Sequence, residues 1–215
     1  MSDRSRAEHV AARAAHAGVP VQAELASALA AYIDFLAAWN RKINLTALPL
    51  EPATDEAIDR LIVESLIAVR HLRPEDRVAI DIGSGGGSPA IPMRLAAPAL
   101  RLVLVEVKSR KAAFLRAVAR ELSLSNVEVE NHNAADLLAR AELRDAADLV
   151  TMRAVRADTS VMETVQFVLR PGGRLFWFGA AGGGDAVAKA GFLTLQSTEA
   201  LTSTGELSVL IADYK

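Results

Sequence analysis

An acidic residue followed by a run of glycines is the part of the chain best suited to bind a ligand. The run is Asp81-Ile-Gly-Ser-Gly-Gly-Gly87, and it follows a short apolar stretch at 78–80. Glycine permits a tight turn and lets a ligand approach the backbone closely, so the run predicts a ligand-binding loop. A dinucleotide loop, Gly-x-Gly-x-x-Gly, would need glycine at Ser88 and does not normally carry an acid two residues before its first glycine. The pattern therefore fits a nicotinamide enzyme poorly.

The acid at the start of the run favours a cationic ligand. S-adenosylmethionine is cationic at its sulfonium and has no pyrophosphate for a loop to hold. We therefore predict that S-adenosylmethionine is bound here, through Asp81, Gly83, Ser84, Gly85 and Gly87. The alternative is a glycine turn without a ligand, but the position at the first strand–helix junction favours binding.

Further candidate ligand residues follow the next two β-rich runs. Glu106 ends the second run, roughly 20 residues after Gly83, where an acid can accept both ribose hydroxyls of a nucleoside. Asp136, together with Ala135, follows the third run, where its side chain could meet an adenine amino group. The alternative for Asp136 is an acid in the first turn of the following helix.

Basic residues supply candidates for a second ligand. Arg153 and Arg156 follow the fourth β-rich run, where an open sheet has its substrate crevice, and a guanidinium can clamp phosphate or stack on a base. Six basic residues also occur between 101 and 120: Arg101, Lys108, Arg110, Lys111, Arg116 and Arg120. We expect Lys108, Arg110, Lys111 and Arg156 to hold RNA. The alternative is a solvated helix surface for the residues between 101 and 120, and an exposed charge at a strand end for Arg153 and Arg156.

Other chemistries find no support in the residues. The histidines His9, His16, His71 and His132 show no metal-ligand spacing, and no nucleophile–base arrangement can be assembled, so we predict no metal. The chain has no cysteine, which excludes disulfides and a thiol nucleophile. With 24 Lys and Arg against 26 Asp and Glu, the whole molecule is no general polyanion binder.

The elements that must position these residues change in period along the chain. Residues 1–74 show the three- and four-residue spacing of amphipathic helices, with a loop at 40–52, and predict a helical extension that packs on the rest. Five β-rich runs follow, at 77–82, 101–106, 126–131, 147–152 and 173–178, each before a helical stretch or a glycine turn. This alternation predicts an α/β domain at 75–215 with a mostly parallel sheet. The last two runs, 192–199 and 207–213, predict a closing hairpin with one antiparallel strand.

Length and composition agree with a globular protein. The 215 residues are 51% hydrophobic and 23% charged, which excludes a disordered or low-complexity chain. The sequence contains no apolar run of about 18 residues and no leader pattern, so we expect a cytoplasmic protein without a membrane partner.

The motifs together resemble those of the 16S ribosomal RNA methyltransferase G family, also called glucose-inhibited division protein B. The resemblance runs from about Tyr32 to Phe178, and the segments that carry it stand in the family's order: Trp39-Asn-Arg-Lys-Ile-Asn-Leu-Thr-Ala47, 81–92, Leu104-Val-Glu-Val-Lys-Ser-Arg-Lys-Ala-Ala-Phe-Leu115, Arg153-Ala-Val155 and Leu169-Arg-Pro-Gly-Gly-Arg174. The glycine loop is common to many methyltransferases, whereas the Asn-Leu-Thr segment combined with Arg-Lys-x-x-Phe-Leu is much narrower. The chain departs from the family's pattern at Leu61, Ser88, Ala90 and Gly179.

The resemblance implies a fold, a reaction and a substrate. The implied fold is the class I S-adenosylmethionine-dependent methyltransferase, a Rossmann-like, seven-stranded, mostly parallel sheet with helices on both faces. The implied reaction is methyl transfer from S-adenosylmethionine to nitrogen 7 of a guanine in 16S ribosomal RNA or a small-subunit intermediate. Because this nitrogen carries an exposed lone pair, we expect no general base, and Arg153 serves to position the substrate and borders the cofactor. We further expect a monomer.

Three other functions stay open at this point. A methyltransferase of a small molecule or protein would use the same loop and would bind RNA weakly. A nicotinamide oxidoreductase would copurify with its cofactor. A non-catalytic interaction protein on the same fold would fail to bind S-adenosylmethionine.

Overall fold

A computed structural model describes residues 3–202 and 205–213. Residues 1–2 of the predicted extension, and residues 203–204 and 214–215 of the predicted α/β domain, lie outside the described residues. The helices are α1 (Asp3–His16), α2 (Ala23–Asn40), α3 (Asp55–Ile58), α4 (Glu64–Val69), α5 (Ala90–Ala96), α6 (Ser109–Glu121), α7 (Thr159–Val168) and α8 (Gly183–Ala188). A π-helical turn, Asp59–Val63, joins α3 to α4, and two 3₁₀ turns cover Ala134–Ala139 and Ala141–Leu143.

Seven strands form one sheet. They are β1 (Val78–Ile82), β2 (Arg101–Val105), β3 (Val127–Glu130), β4 (Ala147–Arg153), β5 (Leu169–Ala180), β6 (Leu193–Ala200) and β7 (Gly205–Ala212). Their order is β3-β2-β1-β4-β5-β7-β6. The first five strands in this order are parallel to one another, and β7 runs antiparallel to both of its neighbours, β5 and β6. The predicted mostly parallel sheet with one antiparallel strand is confirmed.

Hydrophobic cores cover both faces of this sheet. Along β2, Leu102 and Leu104 join one cluster and Val103 and Val105 join the other, because successive strand residues point to opposite faces. The first cluster contains residues of α1 to α6, and the second contains residues of α7 and α8. The continuous apolar pattern of the central strands follows from this double burial.

Every helix that precedes β1 lies on the first of these faces. Residues of α2 such as Leu29 and Ile33 belong to the same cluster as Leu149 of β4, so the helical segment and the sheet share one core. We propose that residues 1–74 act as a helical extension that packs on an α/β domain at 75–215. Within the part of the chain that the structure describes, no helix is long and apolar enough to cross a membrane.

Strand β5 is longer than its sequence pattern predicts. The pattern indicated 173–178, whereas the strand covers Leu169–Ala180, because its first residues pair with β4 ahead of a register shift and the Pro-Gly-Gly turn lies within it. Gly179 therefore lies inside β5 and not after it. A Cβ on Gly179 would lie 1.8 Å from the ring of Trp177, so this departure from the family's pattern makes room for that indole.

Candidate functional site

The glycine run forms a turn at the carboxyl end of β1. Gly83, Gly85 and Gly87 have φ values of +76°, +52° and +88°. A Cβ on Gly83 would lie 2.4 Å from Val155, and one on Gly87 would lie 2.8 Å from Ile91, so packing within the protein excludes side chains at both positions. A Cβ on Gly85 would meet nothing nearer than 3.7 Å, and Gly85 is therefore the position where the backbone is open to a ligand.

Asp81 is buried beneath this turn. Its Oδ1 accepts a hydrogen bond of 2.5 Å from the hydroxyl of Thr151, its register partner on β4, while its Oδ2 has no partner among the described residues. Burial raises the pKa of the Asp81 carboxyl to about 6, although the hydroxyls of Thr151 and Ser84 and the charge of Arg153 act in the opposite direction. The Ser84 hydroxyl is buried and donates a 3.0 Å hydrogen bond to the backbone carbonyl of Asp81. A buried acceptor without a partner costs stability unless something occupies it, so Asp81 fits the cationic ligand that the sequence predicts.

Both carboxylate oxygens of Glu106 accept backbone hydrogen bonds, and one of these bonds comes from the turn. Oε2 accepts a 2.8 Å hydrogen bond from the backbone N–H of Gly85, and Oε1 accepts one of 2.8 Å from the N–H of Lys108. Each carboxylate oxygen can accept more than one bond, so the predicted role toward ribose hydroxyls is compatible with these contacts. That role stays a prediction.

The third candidate segment is exposed and partly committed to local structure. Asp136 Oδ2 accepts from the backbone N–H of Asn133 in a capping box, which matches the alternative considered from sequence, and Ala135 is exposed. Val107, which directly follows Glu106, is 53% exposed. Single exposed apolar residues are common, so no sequence signal distinguishes Val107.

Arg153, at the carboxyl end of β4, is held on several sides. Its guanidinium donates to Glu64 Oε2 at 2.7 Å, to the Ser88 hydroxyl at 3.3 Å and to the carbonyl of Arg60, and it lies 4.4 Å from the ring centroid of Phe178. Its side chain is only 12% exposed, and burial lowers its pKa. Arg153 is thus no exposed charge at a strand end, which was the alternative to a functional role.

The predicted RNA residues do not form one group. Lys108 and Arg110 are exposed around the start of α6, and Arg156 is exposed after β4. Lys111 is half-buried, and its Nζ would lie 4.0 Å from a Cβ on Gly85. Lys111 therefore borders the open side of the glycine turn as well as the basic face of α6.

The amino-terminal helices support the glycine turn from behind. The buried Tyr32 hydroxyl on α2 donates a 2.6 Å hydrogen bond to the carbonyl of Gly86. Asn40 Oδ1 accepts from the backbone N–H groups of Leu45 and Thr46, which shapes the Asn-Leu-Thr segment, and a Cβ on Gly86 would lie 3.6 Å from the Leu45 carbonyl. The helical spacing within residues 1–74 gave no indication of the Tyr32 hydroxyl bond.

The fold has counterparts among solved structures. A SAM-dependent methyltransferase from Aquifex aeolicus matches 71% of this chain and 91% of its own with a TM-score of 0.54 at 13% identity. TrmN from Thermus thermophilus matches 71% of this chain and 48% of its own with a TM-score of 0.54 at 15% identity. This likeness is one of fold, and the fold is that of S-adenosylmethionine-dependent methyltransferases.

Sequence comparison is more specific. The model of the GidB family, described as rRNA small subunit methyltransferase G, matches residues 25–200, and the chain belongs to this family. Relatives named ribosomal RNA small subunit methyltransferase G include proteins of Sorangium cellulosum (40% identical, 77% of this chain and 69% of the relative) and Carboxydothermus hydrogenoformans (32%, 80% and 72%). The protein of Syntrophotalea carbinolica is 29% identical over 92% of this chain and 93% of its own. The family predicted from sequence is confirmed.

Proposed function

We propose that the protein transfers a methyl group from S-adenosylmethionine to nitrogen 7 of a guanine in 16S ribosomal RNA. The observation that carries the cofactor is the buried Asp81 carboxylate, with one oxygen unpartnered among the described residues, beneath a turn open at Gly85. Membership of the rRNA small subunit methyltransferase G family supports the RNA substrate.

The cofactor would be held by residues at the ends of three adjacent strands. We assign Asp81 to its cationic part, Gly85 to close backbone approach, Glu106 to its ribose, and Ala135 and Asp136 to its adenine. Gly83, Ser84 and Gly87 would hold the shape of the turn that presents Gly85 to the cofactor. When bound, S-adenosylmethionine supplies an electrophilic methyl group. Arg153 would border this site.

The protein's contribution to the reaction is positioning. Guanine nitrogen 7 has an exposed lone pair and no proton at neutral pH, so no side chain has to remove one. Holding the nucleophile in line with the methyl group removes much of the entropic barrier. Arg153 is fixed by Glu64, Ser88 and Phe178, which gives it one orientation toward the base.

RNA would contact the basic residues beside this site. Lys108, Arg110, Lys111 and Arg156 would neutralise phosphates, and the first three surround the start of α6 next to the glycine turn. The major-groove edge of guanine is inaccessible in A-form duplex RNA, so the target should be exposed in a loop or an assembly intermediate. We propose a monomer that acts on 16S RNA or a small-subunit intermediate in the cytoplasm, where ribosomal subunits are assembled.

Mass mapping of 16S RNA from cells with and without the gene tests this function. We expect one guanine to lose a methyl group in the deletion strain and to regain it when purified protein and S-adenosylmethionine are added to the undermodified small subunits. Identical maps from both strains would contradict the RNA substrate. Retained cofactor binding in that case would favour a methyltransferase of another substrate.

A further inference from the structure

A cavity of about 320 Å³ lies at the carboxyl ends of β4 and β5. Its wall includes Arg60, Glu64, Arg153, Ala154 and Phe178. The glycine turn is close by, because Val155 lies against Gly83, and the Ser88 hydroxyl bonds to Arg153. The cavity is therefore next to the proposed cofactor site, because Ala154 in its wall directly precedes Val155 in the chain.

Two charged groups of opposite sign lie side by side in this wall. Glu64, at the start of α4, has a side chain only 2% exposed, and its Oε2 accepts a 2.7 Å bond from Arg153 Nη2. Burial of an ion pair is expensive, and apolar residues often replace one without loss of stability. A buried pair that lines a cavity therefore favours a role in binding.

We propose that Glu64 and Arg153 together recognise the guanine that is methylated, with Arg153 donating to oxygen 6 and Glu64 accepting from the N–H groups at nitrogen 1 and the 2-amino group. This inference rests on the proposed function and adds Glu64 as a residue that determines base specificity. A donor beside an acceptor matches the order of groups along this edge of guanine.

The arrangement leaves the nucleophile free. Arginine commonly binds guanine through nitrogen 7 and oxygen 6 at once, and such a contact would occupy the lone pair that must attack the methyl group. Recognition through oxygen 6, nitrogen 1 and the 2-amino group leaves nitrogen 7 facing away from the pair.

The same pair would reject adenine. Adenine presents a donor at its 6-amino group and an acceptor at nitrogen 1. The donor of adenine would therefore face the donor Arg153, and its acceptor would face the acceptor Glu64. Specificity gained by mismatched polar groups is larger than specificity gained by shape alone.

A purely structural pair is the competing explanation, and base substitution in the RNA separates the two. The guanine found by mass mapping is replaced by inosine, which lacks only the 2-amino group, in ligated 16S RNA reconstituted into small subunits. Single-turnover methyl transfer is then measured for the wild type and for Glu64→Gln. We expect the wild type to prefer guanosine by about tenfold or more, as for loss of a hydrogen bond to a charged group, and Glu64→Gln to bring that preference close to one.

The matched control is Glu128→Gln, which removes a carboxylate that pairs with Arg101 at 2.9 Å at the opposite end of the strands. This variant should keep the wild-type preference. Glu64→Asp, which keeps the charge on a shorter side chain, replaces Glu64→Gln if the latter does not fold, and it should also lower the preference.

Two outcomes separate this inference from the function on which it rests. The role of Glu64 is overturned if the wild-type enzyme methylates guanosine and inosine at equal rates, or if a Glu64 variant keeps the wild-type preference. Either result leaves the proposed function standing. Wild-type enzyme that binds S-adenosylmethionine but leaves guanosine unmethylated overturns the proposed function, and this inference with it.

Discussion

The hydroxyl of Tyr32 on α2 donates a 2.6 Å hydrogen bond to the carbonyl oxygen of Gly86 in the glycine turn. Fifty-four residues separate the two in sequence. Tyr32 is fully buried, so this bond holds the middle of the turn from within the core. The shape of the proposed cofactor loop thus depends on a helix that precedes the sheet.

Removing that hydroxyl should loosen the turn without changing the core. Tyr32→Phe leaves the Gly86 carbonyl without its partner, which should cost about 1–2 kcal/mol of unfolding free energy. We expect weaker S-adenosylmethionine binding by calorimetry. Ser27→Ala removes an exposed hydroxyl bond on the same helix and serves as control. Equal affinities in Tyr32→Phe and wild type would show that the turn holds its shape alone.

The open position in the turn predicts a binding defect at Gly85. Gly85→Ala places a methyl group where the backbone is open to a ligand and should weaken S-adenosylmethionine binding by at least about tenfold. A left-handed conformation costs a non-glycine residue about 1–2 kcal/mol, so stability should fall as well. Gly172→Ala is the matched control, because Gly172 has φ +73° and open space but lies in the β5 turn. If both variants bind the cofactor equally, the turn is not its site.

Asp81 predicts how cofactor affinity depends on pH. Burial raises its pKa to about 6, so the native protein holds this proton more tightly than the unfolded chain does, and the stability gained from it disappears as pH rises through about 6. A cationic ligand needs the ionised form, so affinity should be constant above that pH and fall by up to about tenfold per pH unit below it. Calorimetry between about pH 5 and 7.5 measures this, and Asp81→Asn should give a flat, weak profile. A wild-type profile that is also flat would remove Asp81 from the site.

The basic residues of α6 should divide between two ligands. Arg110→Ala should reduce the slope of RNA affinity against salt by about one unit, as for one lost phosphate contact. Lys111→Ala should also weaken S-adenosylmethionine binding, since Lys111 borders the space above Gly85, where its ammonium group can pair with the carboxylate of the ligand. Arg120→Ala, exposed at the other end of the helix, is the control. An unchanged salt slope in Arg110→Ala would make this surface a solvated one.

Methyl transfer should depend on the planar shape of the Arg153 guanidinium more than on its positive charge. Arg153→Lys keeps a cation beside Glu64 but loses the planar fork, so methyl transfer should fall by about tenfold or more while cofactor affinity changes little. Arg153→Ala is a poorer test, because it leaves Glu64 buried without its cation and costs several kcal/mol. Equal losses of cofactor affinity and methyl-transfer rate in Arg153→Lys would assign the arginine to the cofactor.

Because no general base is expected, the wild-type single-turnover rate of methyl transfer should stay nearly flat between about pH 7 and 9. A bell-shaped dependence of this rate on pH would reveal an acid–base residue.

The sequence predicts the features that depend on local patterns. Alternation of β and helical periods predicted the sheet and its antiparallel strand, and the spacing of glycines predicted the turn after β1. Asp136 was ambiguous because a capping acid and a ligand acid occupy the same position after a strand. Local pattern alone therefore located the loop but could not assign every residue around it.

Contacts between distant segments were not predictable in this way. Glu64 follows a π-helical turn, whose wider winding no residue pattern indicated, and its partner Arg153 lies 89 residues further along the chain. Tyr32 and Lys111 likewise gain their roles from packing against the glycine turn. The residues that sequence reasoning missed are those whose partners come from another element.

The shared hydrophobic cluster has a thermodynamic consequence. Leu29 and Ile62 of the helical segment belong to the same cluster as Leu104 and Phe176 of the sheet. Detaching α1 to α4 would expose to water the part of this face that α5 and α6 do not cover, and would remove the support of the glycine turn at the same time. Melting should therefore be cooperative across residue 74, and the ability to bind a ligand at the turn should be lost in the same transition as the helices.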